Sequence, residues 1–303
     1  MLRSFVILLL TPALLPAPVR TAAPAPVPVR AAASALTSVQ RKMLALQVQL
    51  DRAHFSPGEI DARGGSNTRA AQAAAAAAGF MLDAATPATT AYTITEADVA
   101  GPYAPVPEDM MEQSKLPALA YASILEALGE RFHASPALLK ALNPKAAFAA
   151  GEEIEVPNVE RAPVAGTAAK VIVDKSDRAV LVADAAGKTL ARYPASMGSE
   201  HDPLPVGEWK INGKSDAPVF NYNPDLFWDA DPAHSKAKIP AGPNNPVGLV
   251  WIDLSKEHYG IHGTPRPENV GKTQSHGCIR LTNWDAVSLG DAVKAGMPAV
   301  LQD

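Results

Sequence analysis

The chain has 303 residues, of which 47% are hydrophobic and 19% charged, and its formal net charge is -4. That length accommodates two or three domains, and a mildly acidic chain without a basic stripe argues against a nucleic-acid partner. A single cysteine excludes an intramolecular disulfide and leaves packing, metal binding or thiol chemistry as its reason for being there.

The N-terminus reads Met1-Leu2-Arg3 and then Phe5-Val6-Ile7-Leu8-Leu9-Leu10, continuing through Leu14-Leu15. One positive charge before an apolar run of about ten residues has the form of a secretory signal peptide. A membrane span needs about 20 apolar residues, and Pro12 and Pro16 interrupt this one. The expectation is export to the periplasm or cell envelope, with cleavage near Ala22-Ala23 or around residues 31–33 and no stable membrane insertion afterwards. Residues 16–30 alternate Pro with Ala and Val, the composition of an extended linker. Residues 1–33 are therefore assigned to signal peptide and linker.

From Leu36 the pattern changes. Val39, Met43, Leu46, Val48 and Leu50 recur at roughly helical spacing, Phe55-Ser56-Pro57-Gly58-Glu59-Ile60-Asp61 predicts a turn, and Thr68-Arg69-Ala70-Ala71 begins an alanine-rich helix ending near Gly79. Leu46-Gln47-Val48-Gln49-Leu50-Asp51-Arg52, the Phe55 turn and Asn67-Thr68-Arg69 give residues 36–83 a resemblance to the small three-helix type of peptidoglycan-binding domain. The aromatic-Gln pair usual in the last helix of that family is replaced by residues 73–78, a run of alanines.

Residues 84–110, rich in Pro, Thr and Ala, predict a connection. Ile124, Leu125, Leu128 and Phe132 form one helix face and Leu138, Leu139 and Leu142 another, with Ser135 as N-cap and Pro136 at the first helical position. Gly151-Glu152-Glu153-Ile154-Glu155-Val156-Pro157 predicts a short strand, and Tyr92-Thr93-Ile94 is its candidate partner. Through Leu139-Lys140-Ala141-Leu142-Asn143-Pro144 and the 151–157 strand, residues 92–159 resemble a LysM carbohydrate-binding module, with a long insertion after the first strand.

Beyond residue 168 strands dominate: Lys170-Val171-Ile172-Val173-Asp174, Ala179-Val180-Leu181-Val182-Ala183, the run from Leu190, Gly207-Glu208-Trp209-Lys210-Ile211 and Gly248-Leu249-Val250-Trp251-Ile252-Asp253-Leu254. Short strands punctuated by Gly, Pro and Asn predict a sandwich or distorted barrel, not a doubly wound sheet. A last helix is expected from Trp284 to about Ala295. The fold class is multidomain: a small α-helical module and an α+β module, followed by a mainly-β, sandwich- or barrel-like domain over 168–303.

The cysteine lies in Ser275-His276-Gly277-Cys278-Ile279-Arg280, sixteen residues after the histidine of Ile261-His262-Gly263-Thr264. An unpaired thiol is a hazard in an oxidising compartment, so keeping one points to use of the sulfur. As an acyl-transfer nucleophile it needs a base, something to orient that base, and donors for the developing oxyanion. His262 serves as base if the intervening loop returns it to the sulfur. The backbone N–H groups around Gly277 and Cys278 are natural oxyanion donors, and Arg280 offers charge to a substrate carboxylate.

These motifs, with Pro205-Val206-Gly207-Glu208-Trp209 and Gly296-Met297-Pro298-Ala299-Val300, closely resemble the catalytic signature of the YkuD-type L,D-transpeptidases, bacterial enzymes that remodel peptidoglycan stem peptides. The resemblance implies Cys278 as nucleophile, His262 as general base, the Gly263 carbonyl as its orienting group, and His276 as a site-lining residue. Ser275, Trp251, Tyr259 and Arg280 are expected to bind substrate. It further implies attack on a tetrapeptide stem, release of D-alanine, transfer to an amine, and inactivation by carbapenems, with no cofactor. Stem peptides and glycan strands are the implied partners; the acceptor, whether a stem, a lipoprotein, a free amine or water, stays open. An L,D-carboxypeptidase or other wall amidase is the alternative from similar chemistry.

Three other readings use the same residues. His262, His276 and Cys278 as zinc ligands would need a further ligand, and His258 and Glu268 lie in unmatched contexts. Papain-like and NlpC-type peptidases place the cysteine before the histidine. A non-catalytic wall-binding protein would not need His262, Gly277, Cys278 and Arg280 all intact. His54, His133, His201 and His234 are expected at surface or turn positions, and Trp228, Trp251 and Trp284 in the core or lining a groove.

Overall fold

The structure is a computed structural model and describes residues 35–81, 83 and 85–303. The expected signal peptide and its cleavage sites lie outside the described residues. Among the described residues no helix is long and apolar enough to cross a membrane.

Helix α1 (Ser38–Arg52) starts at Thr37, whose side chain accepts from the Gln40 N–H while the Gln40 side chain reaches back, a reciprocal capping box. Its two apolar faces are divided. Leu44 and Val48 join one core, and Leu50 packs with Phe55, Ala71 and Ala75 in another. The second involves α2 (Ser66–Ala77), where small alanines let the helices approach. Gln47 is buried and ties down the predicted turn. Its Oε1 accepts from the Ala62 N–H at 2.8 Å, and its Nε2 donates to Asp61 and to the Arg63 carbonyl.

Strands β1 (Thr89–Thr93) and β2 (Glu153–Pro157) pair antiparallel, with Tyr92 opposite Ile154. Between them come the short helices α3 (Glu96–Val99) and α4 (Met110–Gln113), then α5 (Ile124–Arg131) and α6 (Pro136–Leu142). Ser135 caps α6 through the Leu138 N–H with Pro136 in its first turn, as its residue types predict. Leu128, Leu138, Leu139, Leu142, Ile154 and Val156 share one core with Leu44, Val48 and Ile60. Neither segment has enough residues to bury a sizeable core by itself, and they pool their apolar faces.

The C-terminal part is built on one nine-stranded mixed sheet. Its strands are β3 (Lys170–Asp174), β4 (Ala179–Ala183), β5 (Thr189–Pro194), β6 (Ser196–Met197) and β7 (Gly207–Asp216), then β10 (Val250–Leu254), β11 (Gly260–His262), β12 (Ile279–Arg280) and β13 (Pro298–Gln302). A separate hairpin pairs β8 (Phe220–Tyr222) with β9 (Ala237–Ile239). The sheet order is β5-β4-β3-β13-β7-β10-β11-β12-β6, parallel at β3–β13 and β11–β12. Val171, Val173, Val180, Val182, Ile252 and Ile279 fill its core. Helix α7 (Asn283–Ala292) begins one residue earlier and ends three earlier than expected, because Thr282 caps it and Val293 is already extended.

The described residues all belong to one compact unit. Phe55 bridges Arg192 in parallel, with the Ser56 N–H donating to the Arg192 carbonyl and the Arg192 N–H to the His54 carbonyl, both at 2.8 Å. The loop after α1 thereby covers the β5 edge that would otherwise offer unpaired backbone groups. Asp51 of α1 and Asp285 of α7 are fully buried and share Arg161 from the intervening segment. Burial opposes ionisation of Asp51, but Arg161 and His133 outweigh it and hold the carboxyl down at about 2. His54 sits in the turn after α1, one of the two positions expected of it, but it is 7% exposed, with Nε2 2.6 Å from the Ala162 carbonyl. Its place in this seam depends on partners more than a hundred residues away, which local sequence does not reveal.

Candidate active site

The site grows out of the two short parallel strands β11 and β12. Ile261 lies opposite Ile279 and both are fully buried in the main core. Because successive strand residues point to opposite faces, His262, Arg280 and the flanking Cys278 share the other face. The register makes a row across the sheet: Trp251 opposite His262, His262 opposite Arg280, Arg280 opposite Ser196. Strand pairing thus closes the sixteen-residue gap between the histidine and the cysteine.

His262 is 3% exposed, and its ring stacks on Trp251 with centroids 5.4 Å apart and an 18° interplanar angle. Its Nδ1 lies 2.7 Å from the Gly263 carbonyl oxygen. A carbonyl only accepts, so Nδ1 carries the proton and Nε2 keeps a free lone pair. Burial, assisted by the Arg280 charge and opposed by the Gly263 hydrogen bond, lowers the imidazole to about 3. Burial pushes the Cys278 thiol up, with the Gly260 backbone and Arg280 pulling the other way. At neutral pH the pair therefore rests as thiol and neutral imidazole.

The turn carrying the cysteine is clamped from beneath. Ser275 Oγ donates to the Cys278 carbonyl at 2.5 Å and accepts from the Gly198 N–H at 2.8 Å. Gly277 has φ +93, and a Cβ there would come within 2.9 Å of the Tyr259 ring, so both conformation and space demand glycine. The thiol points to the His258 carbonyl at 3.7 Å. His276 meets the loop after β8: its Nε2 lies 2.9 Å from Asp229 Oδ1, and Phe227 meets its ring edge-on at 5.3 Å. Arg280 Nη2 approaches His276 Nδ1 at 3.5 Å. Trp228 is 61% exposed and stacks on His201, which excludes the core alternative of the two expected for it.

Two residues not singled out in the sequence matter here. Asn283 Oδ1 accepts from the Leu249 N–H at 3.0 Å and its Nδ2 donates to the Pro243 carbonyl at 3.1 Å. A Cβ on Gly263 would sit 2.1 Å from Asn283 Oδ1, so the glycine that orients His262 is locked by this side chain. Asp229, the partner of His276, lies 47 positions away in sequence. No local signal marks either residue. Gly263→Ala is expected to displace the carbonyl from His262 and slow acylation of Cys278 by about a hundredfold, measured by stopped-flow with a β-lactam. Unchanged kinetics would show that the carbonyl is not needed.

The cavities among the described residues include two that border these elements. The larger, about 890 Å³, follows the seam between residues 159–168 and α7 and includes His54, Glu130 and Trp284. The smaller, about 590 Å³, reaches Arg280, Thr264 and Ser196 and is the one adjoining the thiol's sheet face. Among the described residues no three His, Cys, Asp or Glu side chains come together to hold a metal.

Residues 168–301 match the family model for the L,D-transpeptidase catalytic domain, YkuD. This segment is a YkuD domain. The provisionally named L,D-transpeptidase YkuD of Bacillus subtilis (strain 168) is 29% identical over 174 residues, covering 57% of this chain and 89% of that protein. The ErfK/SrfK protein of Escherichia coli (strain K12), named a probable L,D-transpeptidase, is 32% identical over 140 residues, covering 42% and 45%. A solved L,D-transpeptidase from Mycobacterium smegmatis is similar with a TM-score of 0.37 and 21% identity, over 50% of this chain and 74% of that one. The YkuD domain makes the chain an enzyme, a cysteine-dependent acyltransferase.

Proposed function

We propose that the protein is an exported peptidoglycan L,D-transpeptidase with Cys278 as nucleophile and His262 as base. The observation that carries this reading is the adjacency of β11 and β12, which puts a tautomerically fixed imidazole on the same sheet face as the thiol. As Cys278 Sγ attacks the carbonyl of the third stem residue, its proton passes to His262 Nε2. The imidazolium is transient, and the Gly263 carbonyl holds it in place as a carboxylate does in other triads. Backbone N–H groups at the Gly277-Cys278 turn receive the oxyanion. Collapse breaks the peptide bond, the leaving D-alanine takes the proton, and an amine then attacks the thioester and restores the thiol. Bond energy is conserved in the thioester, so the reaction proceeds outside the cytoplasm without ATP. Arg280 is assigned to substrate or to the order of the His276 turn.

The N-terminal segments are proposed as a peptidoglycan-binding-like helical domain over 36–83 and a LysM-like module over 92–159. What supports the second is the order β1, α5, α6, β2 with the two strands paired. Export follows from the composition of the first 33 residues and from a substrate that lies outside the cytoplasm.

The test is incubation with disaccharide-tetrapeptide muropeptides, reading D-alanine and dimers. D-alanine release matched by new dimers is expected; release without dimers would make the enzyme an L,D-carboxypeptidase, and no release would remove the reading. The resting pair also sets a pH profile. With His262 neutral down to about pH 3, the acylation rate constant should change less than about threefold between pH 5.5 and 8. An acid limb centred near 6.5 would mean an ordinary, solvated imidazole. Stability follows the same group: the unfolded imidazole takes a proton that the folded one refuses, so this contribution is whole above about pH 6.5 and is lost as pH falls towards 3.

A further inference from the structure

We propose that the insertion between β1 and α5 is a brace for the active site, in which residues 106–119 hold the β8–β9 flap against His276. The flap pairs with no strand of the nine-stranded sheet, and an isolated two-stranded hairpin is marginal in water. Its apolar side chains are Phe220, Tyr222, Phe227 and Ile239, and the cluster that buries them is completed by the insertion through Val106, Met110, Met111, Leu116 and Leu119. Leu119 and Ile239 are both fully buried, so the two segments share one core although about 120 residues separate them.

Polar contacts fix the register of this packing. The Leu119 N–H donates to the Ala241 carbonyl and the Leu119 carbonyl accepts from the Asn244 N–H, each at 3.0 Å. A Cβ on Gly242 would lie 2.2 Å from that carbonyl oxygen, so the two backbones meet closely enough to require glycine. Asp109 Oδ2 lies 2.9 Å from His234 Nε2, and His234 Nδ1 lies 2.9 Å from the Tyr222 hydroxyl. Arg266, three residues past Gly263, pairs with Glu108 at 3.1 Å. The flap loop carries Phe227 and Asp229 onto His276, two residues before Cys278. A chain of contacts therefore runs from the insertion through the flap to the turn that presents the thiol. Val106, Pro107 and Glu108 also wall the smaller cavity across from Thr264 and Arg280.

Asp109 and Leu119 are thus positioning residues for the chemistry assigned above to Cys278, and the inference rests on that assignment. The test uses the full chain with Asp109→Ala, Asp109→Asn and Leu119→Ala, and follows two readouts: the rate of Cys278 acylation by a carbapenem, and chymotryptic cleavage at Phe227 and Trp228. Asp109→Ala and Leu119→Ala are expected to slow acylation about tenfold and to speed cleavage about tenfold, since small misplacements cost large factors in rate. Asp109→Asn keeps an acceptor for His234 and should stay near the parent, which a general loss of stability at this site would not allow. Parent-like acylation and cleavage in both Asp109→Ala and Leu119→Ala would overturn the brace. Should Leu119→Ala fail to fold, the Asp109 pair decides alone. A parent enzyme that takes no carbapenem would sink the assignment of Cys278, and the cleavage readout would still judge the brace.

Discussion

Cys278→Ala is expected to remove acyl transfer altogether, with D-alanine release falling by at least about a thousandfold and the carbapenem adduct disappearing from the peptide that holds residue 278. No second thiol exists in the chain to take over. The folded state should survive, because Cys278 is only partly buried and its sulfur meets backbone groups alone, those of Gly260 and, at 3.7 Å, the His258 carbonyl. The turn around it is held by Ser275 and Gly277, which the change leaves in place. A melting temperature within a few degrees of the parent, together with lost turnover, would isolate the chemistry. Residual turnover above about one per cent would mean that another group carries the acyl chain, and the mechanism would have to be abandoned.

The largest effect on stability is expected from Arg161→Leu. Arg161 donates through Nε and Nη2 to Asp51 and through Nη2 to Asp285, and both carboxylates are fully buried. A leucine fills much of the space but leaves two negative charges facing each other in a region of low dielectric. Removing one partner of a buried pair typically costs about 3–5 kcal/mol, which in a chain of this size lowers the melting temperature by on the order of 10 °C. The penalty has a pH signature. Asp51 is held at about 2, below its unfolded value of 3.8. Its contribution in the parent is therefore whole above pH 3.8 and is lost as pH falls towards 2. The gap between parent and variant should narrow over the same range, and adding Asp51→Asn should recover part of the loss at neutral pH. Calorimetry showing less than about 1 kcal/mol at pH 7 would mean that Arg161 is not the bolt between α1 and α7.

Much of this architecture was legible locally. The Ser135-Pro136 start of α6 and the β-rich runs of β3 and β4 each depend on residues within a few positions, where backbone sterics and burial act directly. Strand β2 was legible through its own alternation, but its partner was read at residues 92–94, whereas β1 runs from Thr89 to Thr93 and its side chains do not alternate in burial. The shared core of α1 with α5 and α6 was not legible. Leu44 and Leu138 are apolar for the same reason whether they pack on each other or on separate partners. The burial of His54 was hidden for a related cause: a histidine in a turn looks alike on the surface and in a seam, and only its contacts with Ala162 and Ser288 distinguish the two.

The chemistry divides along the same line. Residue types and spacing by themselves determined that the chain carries a lone thiol in a glycine turn, a histidine-glycine pair upstream, and strands to hold them, because covalent order sets which groups exist and how the nearby backbone bends. Tertiary structure alone decided that His262 and Cys278 share a sheet face, that Asn283 locks Gly263, and that a stretch 120 residues upstream supports the flap over His276. These depend on which strand pairs with which and which apolar faces meet. Hydrophobic burial is non-directional, so it drives such meetings without encoding them in any local pattern; the partners are chosen only when the whole chain closes on itself.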